Sequence, residues 1–600
     1  MKATQARGGI TLVAAFLILS GCAALRGGAR GDGVASEPAA LVAQDPTRTP
    51  SPSIDTTPQT VAGGVVASAH PLASEAGAQM LRAGGTAFDA AVATALVLGV
   101  VNPHSSGIGG GGFALYRQVG AEPASLDFRE MAPSFFDAQT FEDGARDSSR
   151  GPWSTGVPGE VAGLAELHGV GGVLPWADVV EPARALAANG FPVGAYLGRV
   201  LTMGGTQVLA DPGLRADFAP EGVVLQTGQT CVRPALARTL EYIQHHGPRG
   251  FYEGPIALSL SGFLAAQGLP WTPAELGAYT TRPRAPLSTT YRGYGVHVMG
   301  PPSSGGIALI QVLGILERRD HATLAYGSGP WTRVLAQALS HAFADRATYG
   351  GDPDFVQIPV QELTSESTID ALTASLPARG PVPLYQAGLS GIRGDSKKVV
   401  PDDGGTSHLS VLDGLGNAVA LTTTVNLWFG SGQADPGTGV VFNDEMDDFA
   451  ARPGEPNAFG LVQSENNAPG AGRRPLSSMS PTLVTDPQGR VILAVGAAGG
   501  PRIITSTLQV ILAVIDRGED AKHALARERI HHQWLPPAVF VEDGFPSEGR
   551  QALLDEGFAV DALTHFAVAQ AAALDPATGV FSGAGDPRAD GEAVIVPPTP

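Results

Sequence analysis

An α+β fold is expected from three stretches of this 600-residue chain. Thr406–Leu412 and Ala418–Val425, separated by the turn residues Asp413-Gly414-Leu415-Gly416-Asn417, read as a β-hairpin. His70–Ala83 and Thr86–Val101 read as two helices parted by Gly84-Gly85, and the unbroken apolar run Ala90–Val101 suits a buried core helix. Val491–Val495 is a buried-strand run that passes through glycines into an apolar helix over Ile503–Ile515.

Composition narrows the function. The chain is 43% hydrophobic, enough for a large core, and its formal net charge of −19 argues against nucleic acid as a partner, since phosphate binding needs a basic surface. Two cysteines, Cys22 and Cys231, cannot form a disulfide framework. Lys2 and Arg7 precede a short apolar run, Ile10–Leu19, too short to span a bilayer stably and typical of a targeting segment. It ends in Leu19-Ser20-Gly21-Cys22, which resembles the lipobox of bacterial lipoproteins. That resemblance implies a signal peptide over residues 1–21, lipidation at Cys22 and export to the periplasmic or surface side of a membrane, with the lipid as the only membrane attachment. A plain secretory signal is the alternative. Residues 22–60, rich in Ala, Gly, Pro, Ser and Thr, read as a flexible tether, with folded sequence from residue 61.

Further along, Gly107-Ile108-Gly109-Gly110-Gly111-Gly112 matches the letters of a dinucleotide fingerprint. A Pro/Ser turn precedes it and a strand, Phe113–Arg117, follows, which is the wrong context on both sides. In Asp127-Phe128-Arg129-Glu130, the planar donor fork of Arg129 can grip a substrate carboxylate or merely pair with a neighbouring acid. A helix is expected over Glu160–His168, then alternating helices and Pro/Gly loops over residues 180–400. No histidine pair has metal-ligand spacing, and neither a metal nor a cofactor is expected.

Symmetric pairing of the hairpin about Leu415 sets Leu412 opposite Ala418, His408 opposite Thr422 and Thr406 opposite Thr424, with Asn426 on the Thr424 face by the two-residue repeat. Opposed Cβ atoms about 4.5–5.5 Å apart let two hydroxyls hydrogen-bond. Thr406 either belongs to the polar edge of an ordinary hairpin or is a nucleophile activated by its own amine once Gly405–Thr406 is cut. Beyond it, Asn443-Asp444-Glu445-Met446-Asp447-Asp448-Phe449 suits a cationic group or a solvated loop. The hydroxyls of Leu476-Ser477-Ser478-Met479-Ser480 can bind an anion or cap local backbone. Gly499-Gly500-Pro501, entering a helix, offers N–H groups to an anion.

Together these segments resemble the γ-glutamyltransferase (γ-glutamyl transpeptidase) family of N-terminal-nucleophile hydrolases. The resemblance rests on Asn102–Gly109, Asp127–Glu130, Gly404–His408, Asn443–Phe449, Pro475–Pro481 and Gly499–Ile504. It implies a four-layer αββα sandwich built jointly by a large subunit (61–405) and a small subunit (406–600) after self-cleavage. It makes Thr406 the nucleophile and Thr424 its supporting hydroxyl. Arg129, Ser477 and Ser478 would hold a substrate α-carboxylate. Asn426, Glu445 and Asp448 would hold its α-amino group at the opposite end, with Gly499 and Gly500 as oxyanion donors. The implied substrates are glutathione and other γ-glutamyl compounds, with water, amino acids or dipeptides as acceptors. Related glutaryl- or cephalosporin-type acylases, poly-γ-glutamate depolymerases and an inert binding protein of the same fold are the alternatives. Pro456–Gly460 resembles a lid loop that carries a tyrosine in some bacterial members; here the position is Phe459, which removes one closing hydrogen bond and bears on the balance of hydrolysis against transfer.

Overall fold

The computed structural model describes residues 62–383, 405–564 and 566–599. Cys22, the signal segment and the tether therefore lie outside the described residues, as does Gly404.

The strands of the two main sheets are, in chain order, β1 (Gly64–Ser68), β2 (Gly111–Arg117), β3 (Ala124–Phe128), β4 (Arg282–Arg284), β5 (Leu287–Tyr291), β6 (Tyr294–Val298), β7 (Gly405–Asp413), β8 (Ala418–Asn426), β9 (Thr482–Thr485), β10 (Val491–Ala498), β11 (Val568–Leu574), β12 (Phe581–Gly585) and β13 (Glu592–Val596). One sheet runs β13-β1-β7-β8-β2-β3-β4 and the other β12-β11-β10-β9-β6-β5. The helices that matter for the site are α1 (Pro71–Arg82), α2 (Ala87–Val101), α3 (Glu160–Gly171), α4 (Gly305–Arg318), α5 (Gly329–Tyr349) and α6 (Arg502–Arg517).

Alternation along the strands builds the layers. Val65, Leu115, Leu412, Ala418 and Ala420 of the first sheet meet Leu483, Val491, Ala494 and Ala572 of the second. Their neighbours Val66, Ala114, Val411 and Val419 point the other way, onto α1 and α2. On the far side, Val296, Val298, Val484, Leu493 and Val495 pack with residues of α4, α5 and α6. The result is helix, sheet, sheet, helix, the four-layer sandwich expected. α2 is buried along its whole length, and a capping box of Thr86 and Asp89 satisfies its first turn.

The region 180–400 differs from its reading as helices and loops, since β4, β5 and β6 lie within it. β4 and β5 are edge strands, one on each sheet. Their polar and proline residues, Arg282-Pro283-Arg284 and Ser288-Thr289-Thr290, suit edges and give no apolar signal. The glycine run after α2 serves packing: a Cβ on Gly110 would lie 1.9 Å from the Thr424 carbonyl oxygen, and one on Gly112 2.2 Å from that of Thr422. Among the described residues no helix is long and apolar enough to cross a membrane.

Candidate active site

β7 and β8 pair in the register the sequence predicts, from Leu412↔Ala418 through Ser410↔Ala420 and Thr422↔His408 to Thr424↔Thr406. Thr406 Oγ1 and Thr424 Oγ1 are 2.9 Å apart. The Thr424 hydroxyl donates to the carbonyl oxygen of Gly405 at 2.8 Å, and the Asn426 N–H donates to Thr424 Oγ1 at 2.8 Å. A hydroxyl has one proton, and that of Thr424 is committed to Gly405. Thr406 is therefore the donor to Thr424, which leaves the Thr406 oxygen lone pairs beside the Gly405–Thr406 peptide bond.

The two-residue repeat fails just past Thr424. A bulge shifts the register between Thr424 and Asn426, so that Asn426 pairs with Gly405 and has φ +78°. Asn426 still lines the same cleft, its side-chain amide donating to the Asp444 carbonyl at 3.1 Å.

That cleft brings together Arg129, Thr406, Thr424, Asn426, Asp448, Ser477, Ser478 and Gly500. Gly499 lines a second recess that also includes Thr406. Both glycines stand between the end of β10 and the first turn of α6, with Pro501 as the helix cap. The Ser477 hydroxyl accepts from the Met479 N–H, and the buried Ser478 hydroxyl has no partner among the described residues.

The expected separation of Arg129 from the acids is corrected by the structure. The guanidinium, 1% exposed, lies 2.6 Å from Glu445 through Nη1 and 2.5 Å from Asp448 through Nη2. The reason is burial: an arginine removed from water must be neutralised nearby, and the acid turn supplies the partners. Nor is that turn a solvated loop, since Asp444, Glu445, Asp447 and Asp448 are all buried. Burial raises the carboxyls of Glu130, Glu445 and Asp448 above the usual range, while Arg129 pulls each of them back down. Burial likewise raises Asp444 well above it. Acids here outnumber the cations that face them, an environment that favours an incoming ammonium group.

Several supporting residues were not foreseen. Asp127 Oδ1 accepts the Arg129 N–H at 2.9 Å and pairs with Arg474 at 2.6 Å, bracing the strand end that carries Arg129. The Asn443 side chain ties Gly109 and Gly156 to the acid turn. Phe459, by contrast, was singled out in the sequence on its lid-like loop; it forms one wall of the cleft, with its ring against Gly500. The acid–arginine pairing of Asp127 with Arg474 had a signal in the two flanking motifs; the other contacts had none. Among the described residues no cluster of metal-ligating side chains occurs.

Residues 73–596 match the family described as Gamma-glutamyltranspeptidase. The chain is 40% identical over 532 residues to a glutathione hydrolase proenzyme of Escherichia coli K12, covering 88% of this chain and 90% of that protein. It is 35% identical over 551 residues to the acylase ACY 1 proenzyme of Pseudomonas sp. strain V22, covering 90% and 94%. Among solved structures, cephalosporin acylase from Bacillus halodurans superposes with a TM-score of 0.78 at 27% identity, covering 92% of this chain and 99% of that one.

Proposed function

This chain belongs to the gamma-glutamyltranspeptidase family, and from that premise we propose that it is a self-processing γ-glutamyltransferase and glutathione hydrolase. The observation that carries the reading is the hydrogen-bond chain from Thr406 through Thr424 to the Gly405 carbonyl. In the uncut chain, Thr406 Oγ1 attacks the Gly405 carbonyl carbon while Thr424 donates to the carbonyl oxygen as it gains charge. The C–N bond breaks, the freed Thr406 amine takes the proton given up by its own hydroxyl, and Gly405 is left as an ester on Thr406. Water cleaves that ester and leaves a Gly405 carboxylate. Residues 61–405 become the large subunit and 406–600 the small one.

In turnover the Thr406 amine, whose ordinary pKa is about 7.7–8.0, takes the hydroxyl proton as Oγ1 attacks the γ-amide carbon of the substrate. Gly499 and Gly500 donate to the tetrahedral oxygen. The amine passes its proton to the leaving nitrogen, and the γ-glutamyl ester is then taken by water or by the amine of an amino acid or dipeptide. At the head-group end, Ser477, Ser478 and Arg129 take the α-carboxylate; Asn426, Glu445 and Asp448 take the α-ammonium. Because Arg129 is already paired with Glu445 and Asp448, a zwitterionic head inserts between existing partners, and each charge of the pair gains a replacement.

Acylase relatives make glutaryl amides the rival substrates. Such compounds lack the ammonium, and would leave Glu445 and Asp448 without the cation that their burial calls for. The deciding experiment compares γ-glutamyl-p-nitroanilide with glutaryl-p-nitroanilide on the matured enzyme; faster turnover of the glutaryl compound overturns the assignment. Export through residues 1–21 and lipid attachment at Cys22 complete the proposal. Fatty-acid labelling that persists in Cys22→Ser removes the anchor from it.

A further inference from the structure

A cavity of about 340 Å³ between the loop 141–149 and the segment 447–458 takes no part in the steps above. Asp447 and Ala458 line it, whereas the residues that follow each of them, Asp448 and Phe459, line the Thr406 cleft. One turn and one loop therefore divide the two spaces. Phe141 and Phe449 give the cavity an apolar floor, in one cluster with Trp153 packed against it. The acids of the lining are already engaged. Asp447 accepts from the Ser148 hydroxyl at 3.0 Å and from the Ala458 N–H at 2.9 Å. Asp147 accepts both the N–H and the hydroxyl of Ser149 at 2.8 Å, and Glu455 pairs with Arg452 Nε at 2.7 Å. The two arginines have donors to spare. Arg146 lies over the Trp153 ring at 4.0 Å and gives Nη1 to the Thr140 carbonyl at 3.1 Å, with no acid partner among the described residues. Arg452 reaches across to the same loop, where a Cβ on Gly144 would lie 3.2 Å from its Nη1.

We infer that this cavity binds a small organic carboxylate between Arg146 and Arg452, and that its occupancy holds the loop 456–461 closed beside the Thr406 cleft. The class of ligand is set by what is unspent. Guanidinium N–H groups above an apolar floor call for an anion with a short carbon body; an ammonium would find its acceptors taken. The volume suits a small molecule. The hold on the loop follows from connectivity. Arg452 stands just before Pro456, so an anion bridging it to Arg146 ties that run of chain to the loop 141–149, which already grips Asp447 through Ser148. The consequence for the products rests on the γ-glutamyl reading of the cleft, in which a closed loop keeps water from the ester.

The probe is N-acetylglycylglycine, which carries a carboxylate but whose blocked amine can neither accept a γ-glutamyl group nor imitate the head-group ammonium. Its concentration is raised over the matured protein while tryptophan fluorescence, limited proteolysis of the loop 456–461 and the product ratio are followed. Trp153→Phe identifies the Trp153 signal. The ratio is that of glutamate to γ-glutamyl-glycylglycine, formed from γ-glutamyl-p-nitroanilide at fixed glycylglycine. Saturable quenching of Trp153 is expected, with protection of the loop and a fall in the ratio of about three- to tenfold, the shift that one charge-assisted contact supports. Arg146 is exposed, so its replacement leaves the core intact. Arg146→Ala should weaken binding about tenfold or more and abolish the response of the loop. Arg146→Lys keeps the charge without the fork and should recover part of the binding. No Trp153 signal, or equal binding by Arg146→Ala and wild type, overturns the site. Inhibition competitive with the donor places the probe in the Thr406 cleft and overturns it likewise. Saturable binding that leaves the loop as open to protease as before overturns the hold on the loop, and the inference with it. If γ-glutamyl turnover is itself absent, the proposed function fails, and the Trp153 signal and the proteolysis still decide the cavity.

Discussion

Thr406 and Thr424 stand opposite each other on adjacent strands with their hydroxyl oxygens 2.9 Å apart, and Thr424 reaches on to the carbonyl of the residue before Thr406. One hydroxyl therefore serves two bonds, and on the proposed reading it steadies the nucleophile and polarises the peptide to be cut. Thr406→Ala is expected to remain one full-length chain with no turnover. Thr406→Ser is expected to mature, more slowly. Thr424→Ala loses the donor to Gly405 and should mature about 10²–10³ times more slowly, the usual scale for one oxyanion donor. Denaturing gels taken over time read all three; maturation of Thr424→Ala at the wild-type rate removes Thr424 from the chemistry.

Gly500 has φ +57°, and a Cβ there would lie 2.6 Å from the Phe459 ring. Gly500→Ala thus meets a steric obstacle and a strained backbone together, and both displace its N–H. We expect kcat on γ-glutamyl-p-nitroanilide to fall by about 10²–10³. Adding Phe459→Ala relieves the contact but not the strain, so recovery should be partial. Full activity in Gly500→Ala would show that its N–H takes no part.

His408, two residues beyond Thr406, is wedged between the sheets with Nδ1 2.8 Å from Thr422 Oγ1 and Nε2 3.0 Å from Ser410 Oγ. Burial drives its pKa from 6.5 to about 3. Between those values the unfolded chain binds a proton that the folded chain refuses. The stability His408 contributes is therefore complete above pH 6.5 and is lost as pH falls toward 3. His408→Gln abolishes this linkage. In a Thr406→Ala background, which keeps a single chain, the variant is expected to be less stable than its parent at pH 8, and that gap should narrow by about 2 kcal/mol at pH 5. Urea unfolding at the two pH values measures it, and a constant gap would mean that His408 is not held neutral.

The hairpin register was legible because side-chain alternation and a turn centred on Leu415 leave little choice: slipping by one residue would send Leu412 and Val411 to each other's layers. The bulge at Thr424–Asn426 was not legible, because it arises from the pairing of Asn426 with Gly405 rather than from either residue alone. Arg129 could be named from its local motif, but its partners Glu445 and Asp448 lie more than three hundred residues away, and only the closed sandwich brings them to it. The edge strands β4 and β5 escaped notice for a related reason. Their partners supply the burial, and their own residues look like loop.

The loop Pro456–Leu461, which lacks a tyrosine hydroxyl, is held down by other means. The Ala458 N–H donates to Asp447 Oδ2 at 2.9 Å, and Asp447 Oδ1 accepts from Ser148 at 3.0 Å. From the other side Gln533 donates to the Phe459 carbonyl at 3.1 Å, while its own side-chain oxygen lies 2.9 Å from His531 Nε2. A buried carbonyl left without its donor costs about 1–3 kcal/mol, enough to raise the open population of the loop several-fold or more. On the proposed reading, opening would expose the γ-glutamyl ester to water. In Gln533→Leu, and again in Asp447→Ala, glutamate should gain at the expense of γ-glutamyl-glycylglycine when glycylglycine is the acceptor at fixed concentration. The loop should also become a site of limited proteolysis. If the product ratio and the cleavage pattern both stay as in the wild type, neither contact closes the loop, and Phe459 packing on Gly500 alone must hold it.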